Sequence, residues 1–334
     1  MIKRILIKTA LLLIVCAGGA QAQVDPHFSQ YYANPLWLNP ALTGVMDGDF
    51  RVTGNFKQQW TGIDNGYKTS AVSADFRTSD KVALGLNVLN QSAGSAGYNY
   101  LTAYGSFGYQ ITLSDDGYQR LNFGLQAGLI NRSYNPNSLQ FDNQYNPSIG
   151  YDPGLSTFEN LNTTKSTVFD ASAGLFYYNG TPASRANLFF GVSVAHIAPA
   201  NDPFATDDGV KRRIPMRYNV QAGLRLRTTN FLDVTPHVLY IRQQQNQIRA
   251  AGLNLEFRLA EETSLILGGM YRLDDAAIGS VGLHVKRLLI GASYDYNTSS
   301  LKSNLGRQQG VYELSVSYIF KHRLRNIEPI CPRL

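Results

Sequence analysis

The chain has 334 residues, of which 44% are hydrophobic and 16% are charged, and it carries 30 glycines and 20 tyrosines. The charged fraction is below the roughly 25% usual for soluble proteins. The net charge of +6 comes from the two ends of the chain, 1–22 and 321–334, so the middle is about neutral. This distribution argues against nucleic-acid binding, because no basic stripe follows any element.

Residues 1–22 have the pattern of a secretory signal peptide. Lys3 and Arg4 form a basic start, an apolar run follows at 10–16, and Ala20-Gln21-Ala22 is a small-residue cleavage site. A lipoprotein leader ending at Cys16 is disfavoured, since the preceding Val15 stands where a small residue is needed. We therefore expect a mature chain that begins at residue 23 and has one thiol, no internal disulfide and no apolar stretch long enough for a transmembrane helix.

The next segment, 23–49, does not alternate and carries a heavy apolar load. Its large apolar residues are Phe28, Tyr31, Tyr32, Leu36, Trp37 and Leu38. Asn34-Pro35 and Asn39-Pro40 each predict a capped turn, because Asn can accept a backbone N–H and Pro starts a helical turn without losing a hydrogen bond. A loose linker is the alternative, but the apolar load favours a plug packed at, or inside, one mouth of a barrel.

From residue 50 onward the chain alternates apolar and polar residues with a period of two. In the closing stretch 311–320, one face carries Tyr312, Leu314, Val316, Tyr318 and Phe320. A lone strand of this kind fits a soluble sandwich, but many in series predict an all-β, antiparallel transmembrane barrel at 50–320. We predict about fourteen strands, at 50–60, 68–76, 82–88, 98–111, 120–130, 167–178, 188–194, 218–227, 232–241, 249–257, 264–271, 277–285, 288–296 and 311–320. Pro236 weakens the ninth, since proline cannot donate to a ladder.

The connections between these strands alternate in length. If the first strand begins in the periplasm, every second connection is periplasmic, and all six of these are short. The opposite set contains the long connections, 131–166, 198–217 and 297–310. Short periplasmic turns and longer extracellular loops are typical of outer-membrane barrels.

Five arginines are expected to point into the lumen, because a charge on the lipid face costs roughly 2–4 kcal/mol near the midplane. They are Arg120, Arg225, Arg227, Arg249 and Arg272. They could line a conducting pore or pair with carboxylates such as Asp170 and Glu256 inside a packed lumen.

Nothing in the sequence predicts catalysis, a metal or a cofactor. The five histidines lack metal-ligand spacing, and no Ser/His/Asp order places a nucleophile beside a base. The acidic pairs Asp207-Asp208 and Asp274-Asp275 lack the spacing of a calcium loop and are expected to be solvated turns.

A family resemblance lies in the segment before the first strand. Its residues are Asp25-Pro26-x-Phe28-Ser29-Gln30-Tyr31, then Asn34-Pro35-Leu36, then Leu38-Asn39-Pro40-Ala41-x-Thr43-Gly44, followed later by Gln59-Trp60. This ordered set resembles the PorP/SprF family, with Lys57-Gln58 standing before Gln59-Trp60 where the family commonly reads R-x-Q-W. The opening motif covers about the first tenth of the mature chain, while length and strand pattern agree over the rest.

The resemblance implies an outer-membrane component of type IX secretion and gliding, embedded in outer-membrane lipid. It implies that the outer loops hold or help export the C-terminal domain of a secreted adhesin. It also implies contact with a periplasmic, peptidoglycan-associated protein. For that contact we consider the basic tail 321–334, with Lys321, Arg323, Arg325 and Cys331, although a disordered tail is equally compatible with its composition.

A second function fits the same architecture. Fourteen strands with an N-terminal plug is also the plan of FadL-like transporters of hydrophobic small molecules. A wall strand interrupted opposite an apolar pocket would favour transport, and Pro236 is the residue around which such an interruption is expected.

Overall fold

A computed structural model describes residues 25–60, 66–94, 97–146, 148–156, 164–182, 184–199, 201–207, 210–299 and 310–321. The predicted signal peptide lies outside the described residues, as do Arg323, Arg325 and Cys331 of the tail. Within the described ranges, no helix has both the length and the apolar character needed to cross a bilayer.

Fourteen strands close into one antiparallel barrel, which confirms the predicted fold class and strand count. They are β1 (Phe50–Gln59), β2 (Lys68–Arg77), β3 (Val82–Ala93), β4 (Tyr98–Thr112), β5 (Gln119–Ser133), β8 (Lys165–Asn179), β9 (Ala186–Ala195), β12 (Arg217–Arg227), β13 (Leu232–Gln243), β14 (Asn246–Ala260), β15 (Thr263–Arg272), β16 (Ala276–Val285), β17 (Leu288–Asn297) and β18 (Val311–Phe320). Two small hairpins lie in the longest connections. One pairs β6 (Tyr145–Asn146) with β7 (Gly150–Tyr151), and the other pairs β10 (Asn201–Asp207) with β11 (Val210–Arg213).

The barrel closes where β1 pairs with β18, in continuous register from Phe50 opposite Phe320 to Gln59 opposite Val311. Closure leaves no free strand edge, which a lipid-embedded sheet requires because hydrocarbon offers backbone groups no partner. Outward residues such as Leu125 and Phe169 are exposed and apolar, and they form the lipid-facing surface.

The two ends of the barrel differ in their connections. One end has only short turns, at 78–81, 113–118, 180–185, 228–231, 261–262 and 286–287. The other end carries the long connections 134–164, 196–216 and 298–310, together with shorter ones. We call these the short-turn end and the long-loop end.

Residues 25–49, which we call the lumenal segment, run along the inside of the barrel between these two ends. The segment contains a 3-10 turn at Tyr31–Ala33, a single α-helical turn at Pro35–Leu38 and a second 3-10 turn at Pro40–Leu42. At the long-loop end, the backbone N–H of Asp25 donates to Gln243 Oε1 at 3.0 Å. At the short-turn end, the N–H of Asp49 donates to the carbonyl of Phe320 at 2.9 Å. The sequence predicts a plug packed at, or inside, one mouth of the barrel. The segment extends further than this and passes along the lumen before β1 begins.

Pro236 interrupts the wall only locally. The β12–β13 ladder lacks pairs opposite Thr235 and Pro236, and it resumes in the same register with Leu226 opposite Val234. On its other side Pro236 remains in register with Leu253 of β14. Proline has no N–H to donate, so two residue pairs are missing from one ladder, but there is no bulge and no register shift.

Four of the five arginines predicted to face inward do so, and the prediction for Arg249 is wrong. On β14 the inward positions include Ala250 and Glu256, so Arg249 lies on the outward face. Its side chain is 53% exposed and pairs with Asp274, in the connection at the long-loop end. The lipid argument fails there because a charge near the strand end reaches water.

Two further short turns and the end of β1 complete the description of the fold. Two further 3-10 turns, Pro136–Ser138 and Asp142–Gln144, lie in the connection after β5. β1 ends at Gln59, so the predicted strand residue Trp60 falls just outside it with a φ of 58°.

Candidate functional site

The turns of the lumenal segment are fixed partly by its own asparagines. Asn39 accepts the Ala41 N–H at 2.9 Å, as the sequence predicts for a cap. Its Nδ2 also donates to the carbonyl of Leu175 at 3.0 Å, which ties the segment to the wall. The predicted cap at Asn34 is wrong, because its side chain caps no turn and instead accepts from Asn87 Nδ2 at 2.9 Å. In the lumen, a wall partner competes successfully with the local turn.

Glu313 of β18 provides the first charged attachment of the segment. Its carboxylate accepts the backbone N–H of Ser29 at 2.6 Å and of Gln30 at 2.8 Å. Lys57 of β1 lies 3.2 Å from the same carboxylate, and the side chains of Lys57 and Glu313 are 0% and 2% exposed. Lys57 also donates to the carbonyl of His27 at 2.8 Å. The buried Lys57–Glu313 ion pair thus holds the segment at three residues, which are His27, Ser29 and Gln30.

Arg272 of β15 provides a second attachment. Its Nη2 lies 3.1 Å from Asp295 Oδ2, and the Ser29 hydroxyl donates to the same oxygen at 2.5 Å. Arg272 also pairs with Asp275 in the next connection. Ser29 therefore lies among charges contributed by three strands, β15, β17 and β18.

Asp25 forms a third attachment at the long-loop end. Its Oδ2 lies 2.8 Å from Arg217 Nη1 and 2.6 Å from His196 Nε2. The other ring nitrogen of His196 lies 3.0 Å from Asp170 Oδ2, which also accepts from the Tyr104 hydroxyl at 2.7 Å. An aspartate of the segment is thereby joined through one histidine to a carboxylate of the wall.

These contacts set the charge states at the long-loop end. Burial alone would raise the pKa of Asp25, but His196 and Arg217 hold it below its usual value. Burial alone would lower the pKa of His196, one residue past the end of β9, yet Asp25 and Asp170 raise it to about 9. His196 is therefore protonated at neutral pH and forms true ion pairs.

Arg51 of β1 provides the fourth attachment, at the short-turn end. It forms a bidentate pair with Asp75, with Nε to Oδ1 at 2.9 Å and Nη2 to Oδ2 at 2.8 Å. Asp75 also accepts the Gly44 N–H at 2.8 Å, and Arg51 donates to the carbonyls of Val45 and Leu42. This planar arrangement is the one that arginine favours for carboxylates.

The structure brings most of the sequence-predicted motif residues together. Ten of them are buried in the lumenal segment, namely Asp25, Pro26, Phe28, Ser29, Gln30, Tyr31, Asn34, Pro35, Asn39 and Pro40, and Gly44 lies there too with a φ of 77°. Gln59 and Trp60 lie apart from most of this set, at the long-loop end. Lys321 lies exposed at the short-turn end.

The partners of these residues were not singled out from the sequence. Lys57, Asp75, Arg217, Asp295 and Glu313 are all buried wall residues that hold the segment. Each stands at an inward position of its strand, so a charged residue on the polar face of a strand is the signal that could have found them. Their pairing could not have been found this way, because Ser29 and Glu313 are 284 positions apart.

Two sizeable cavities lie at opposite ends of the lumen, beside smaller ones. The long-loop cavity, about 360 Å³, is bounded by Asp25–His27 and by wall residues that include Trp60 and Asn297. The short-turn cavity, about 250 Å³, includes Met46, Ile266 and the basic residues Lys286 and Arg287 in its lining. The two cavities have no lining residue in common.

The buried polar groups of this lumen are arranged to hold the lumenal segment in place. Within the described ranges, no group of three or more His, Cys, Asp or Glu side chains is arranged to hold a metal ion. The buried carboxylates described above are already engaged with cations or backbone N–H groups, which suits them to holding a segment in place.

Comparison with known proteins places this architecture in a family. The model of the type IX secretion system membrane protein PorP/SprF matches residues 20–318. The chain belongs to the PorP/SprF family. Membership of a secretion-system family, together with a closed transmembrane barrel, places the protein in the outer membrane.

A solved structure shares the fold at low sequence identity. The toluene transporter TbuX of Ralstonia pickettii is similar with a TM-score of 0.53 and 11% identity, over 86% of this chain and 94% of that one. A FadL homologue of Pseudomonas aeruginosa is similar with a TM-score of 0.48 and 12% identity, over 84% of this chain and 93% of that one. No curated protein matches the chain significantly.

Proposed function

We propose that this PorP/SprF protein is a non-enzymatic anchor of the type IX secretion machinery in the outer membrane. In this role it holds, or helps deliver, a secreted surface adhesin at the long-loop end. At the short-turn end it contacts a periplasmic partner linked to peptidoglycan. Family membership supports the link to type IX secretion, and the filled lumen supports anchoring rather than conduction.

The observation that carries the proposal is the course of the lumenal segment. It runs the length of the lumen, and buried contacts with Asp295, Glu313, Arg217 and Asp75 hold it at successive heights. Buried, hydrogen-bonded ion pairs are costly to break, at about 3–5 kcal/mol each. Such a barrel is a stiff support, which a surface protein under mechanical load requires.

The long-loop end offers a contact surface for an adhesin domain. In the connection 134–164, Tyr145 and Ile149 are 63% and 72% exposed, and Leu155 is also exposed. Apolar side chains exposed at the tip of an outer loop suit a protein contact, where a few apolar anchors contribute most of the binding energy.

The short-turn end carries three basic residues, beside the acidic residues Asp47 and Glu262 of the same cavity lining. Lys286, Arg287 and Lys321 are all exposed there and line the short-turn cavity. The tail that follows Lys321 adds Arg323, Arg325 and Cys331, which lie outside the described residues. A periplasmic partner with an acidic face fits this charge.

The alternative function is transport of hydrophobic small molecules. The gap in the β12–β13 ladder beside Pro236 is the observation that favours it, because a weakened wall is where a lateral exit would form. The gap spans two residue pairs and leaves the register intact, so we rank transport second.

The test is to isolate the intact complex from outer membranes in mild detergent through a tag on this chain, and to identify the proteins and lipids recovered. Recovery of an adhesin C-terminal domain supports the anchor. Recovery of a solitary barrel with bound hydrocarbon, and no partner protein, overturns the anchor in favour of transport.

A matched pair of variants locates the adhesin contact. Ile149→Asp is expected to reduce adhesin recovery, while Ser148→Asp adds the same charge at an exposed neighbour and leaves recovery near the wild-type level. Equal recovery with both variants would mean that the adhesin contacts a surface other than this hairpin.

A further inference from the structure

The long-loop cavity has a composition that anchoring does not explain. Its volume, about 360 Å³, falls within the range of about 300–1,000 Å³ typical of small-ligand pockets. Its floor is the beginning of the lumenal segment, and its walls come from β1, β3, β15, β16, β17, β18 and the adjoining connections. It opens at the end that carries the long connections.

An aromatic pair stands in one wall of this cavity. The rings of Trp60 and Tyr67 meet edge to face, with centroids 5.3 Å apart and planes at 80°. Trp60 has a φ of 58°, a conformation that is a genuine outlier for a bulky residue. Both residues are half-buried, so the strained backbone presents a partly accessible indole at the cavity.

The remaining walls supply planar polar groups. Gln59, Gln91 and Asn297 contribute amides, and Asp275 contributes a carboxylate that is 48% exposed. Amides both donate to and accept from hydroxyl groups, and carboxylates accept from them, each in a fixed plane. Together with the aromatic pair they offer one apolar surface beside several directional polar contacts.

The charges of the cavity are largely compensated within its walls. Arg272 pairs with both Asp275 and Asp295, and Asp25 pairs with Arg217 and His196. A ligand that carried a strong charge would have to displace one of these pairs. The compensation favours a neutral ligand.

Two buried acceptors of the lining residues have no hydrogen-bond partner within the described structure. One is Asp295 Oδ1 and the other is His27 Nε2. Burial, with Lys57 and Arg272, lowers the pKa of His27 well below its usual value, so its ring is neutral. Both unpartnered atoms are buried, with almost no accessible surface of their own.

We propose that the long-loop cavity binds a neutral saccharide, one or two rings in size, from the outer side of the membrane. A pyranose has an apolar C–H face that packs on an indole, and hydroxyls around its edge that suit amides and carboxylates. Trp60 and Tyr67 supply the stacking surface, and Gln59, Gln91, Asn297 and Asp275 supply the polar contacts. The glycan is held directly above the beginning of the lumenal segment.

The test applies the full-length protein, purified in detergent, to an array of neutral, acidic and amine-bearing glycans. The wild type is expected to bind a subset of neutral glycans. Trp60→Ala and Tyr67→Ala are each expected to lose binding at least tenfold, while Trp60→Phe retains most of it. Tyr271→Ala removes an exposed aromatic on the outward face at the same end, outside the cavity, and is the matched control expected to bind normally.

Intrinsic fluorescence provides a second measurement on the same variants. The chain has two tryptophans, and Trp37 is buried in the lumenal segment. Titration with the best neutral glycan from the array should change the emission of the wild type and not that of Trp60→Phe. The proposal is overturned if no neutral glycan binds, if only amine-bearing glycans bind, or if folded Trp60→Ala and Tyr67→Ala both bind like the wild type.

Discussion

The two faces of the barrel wall are held in place by different means. On the outward face, Leu125, Phe169 and Leu314 are 58–59% exposed, and they require only an apolar solvent. On the inward face, Lys57, Asp75 and Glu313 are at most 2% exposed, and each has a specific charged partner. The outward face therefore tolerates any apolar side chain of suitable size, whereas an inward residue cannot change without its partner.

The difference follows from the solvent that each face meets. Every outward position meets the same apolar lipid, so a simple alternation of apolar and polar residues along the strand is sufficient. Much of the lumen is occupied by the protein's own segment, so inward residues such as Glu313 and Asp75 meet particular atoms of residues 25–49, while Asp233 pairs with Arg225 of the wall itself. The sharpest tests of this comparison exchange one kind of residue for the other.

The largest effect is expected from Glu313→Ala. Removal of this carboxylate leaves the Lys57 ammonium buried and deprives the Ser29 and Gln30 N–H groups of their acceptor. Breaking a buried pair in this way costs about 3–5 kcal/mol. Denaturant unfolding in lipid vesicles measures the loss, and Glu261→Ala, at an exposed glutamate in a short turn, is the control. Equal losses in the two variants would contradict the account.

Next in size is Leu314→Arg, one residue further along the same strand but on the lipid face. Near the middle of a strand an arginine in hydrocarbon costs roughly 2–4 kcal/mol. The same unfolding measurement in vesicles applies, with Leu314→Phe as the apolar control. A lipid-face arginine that left stability unchanged would mean that this face does not meet hydrocarbon.

A smaller effect is expected from Gly124→Ala, because the lumenal segment lies directly against β5. A Cβ built at Gly124 would stand 2.1 Å from backbone atoms of Pro40 and Ala41. Overpacking of this kind costs about 1–3 kcal/mol. Gly105 on neighbouring β4 faces outward, and its Cβ would meet only the Ala127 carbonyl, at 3.9 Å. Gly105→Ala should be close to neutral, and a reversed order would contradict the position of the segment.

The effect that is restricted to one pH range is a loss of stability at alkaline pH that depends on His196. Its pKa is raised from 6.5 to about 9, so its stabilising contribution is complete below about pH 6.5 and disappears as the pH rises through about 9. Denaturant midpoints at pH 7 and pH 10 should differ more in the wild type than in His196→Gln. An identical pH dependence in both proteins would mean that His196 is neutral in the fold.

The sequence predicted the wall better than the lumen, for a physical reason. Every outward position must be apolar because it meets lipid, and this produces alternation such as Leu121, Phe123 and Leu125. All fourteen strands can be predicted from that alternation. Arg249 was misplaced because the rule that keeps charge out of lipid weakens at a strand end. The family motif indicated that residues 25–44 matter, and the apolar load indicated burial.

What the sequence could not supply was the set of contacts inside the lumen. Asn34 has a local capping role available, yet it bonds Asn87 across the lumen. Glu313 and Ser29 meet only because fourteen strands close into a ring. Contacts of this kind depend on register and closure, which no local pattern encodes.

The most direct test of the filled lumen is ion conductance in planar bilayers. The account predicts that the wild type passes no resolvable steps of current, because the lumenal segment separates the cavities at the two ends. A variant that lacks residues 27–46 but retains the barrel should pass current in discrete steps. Steady, open-pore conductance by the wild-type protein would contradict the account and remove the basis for an anchor.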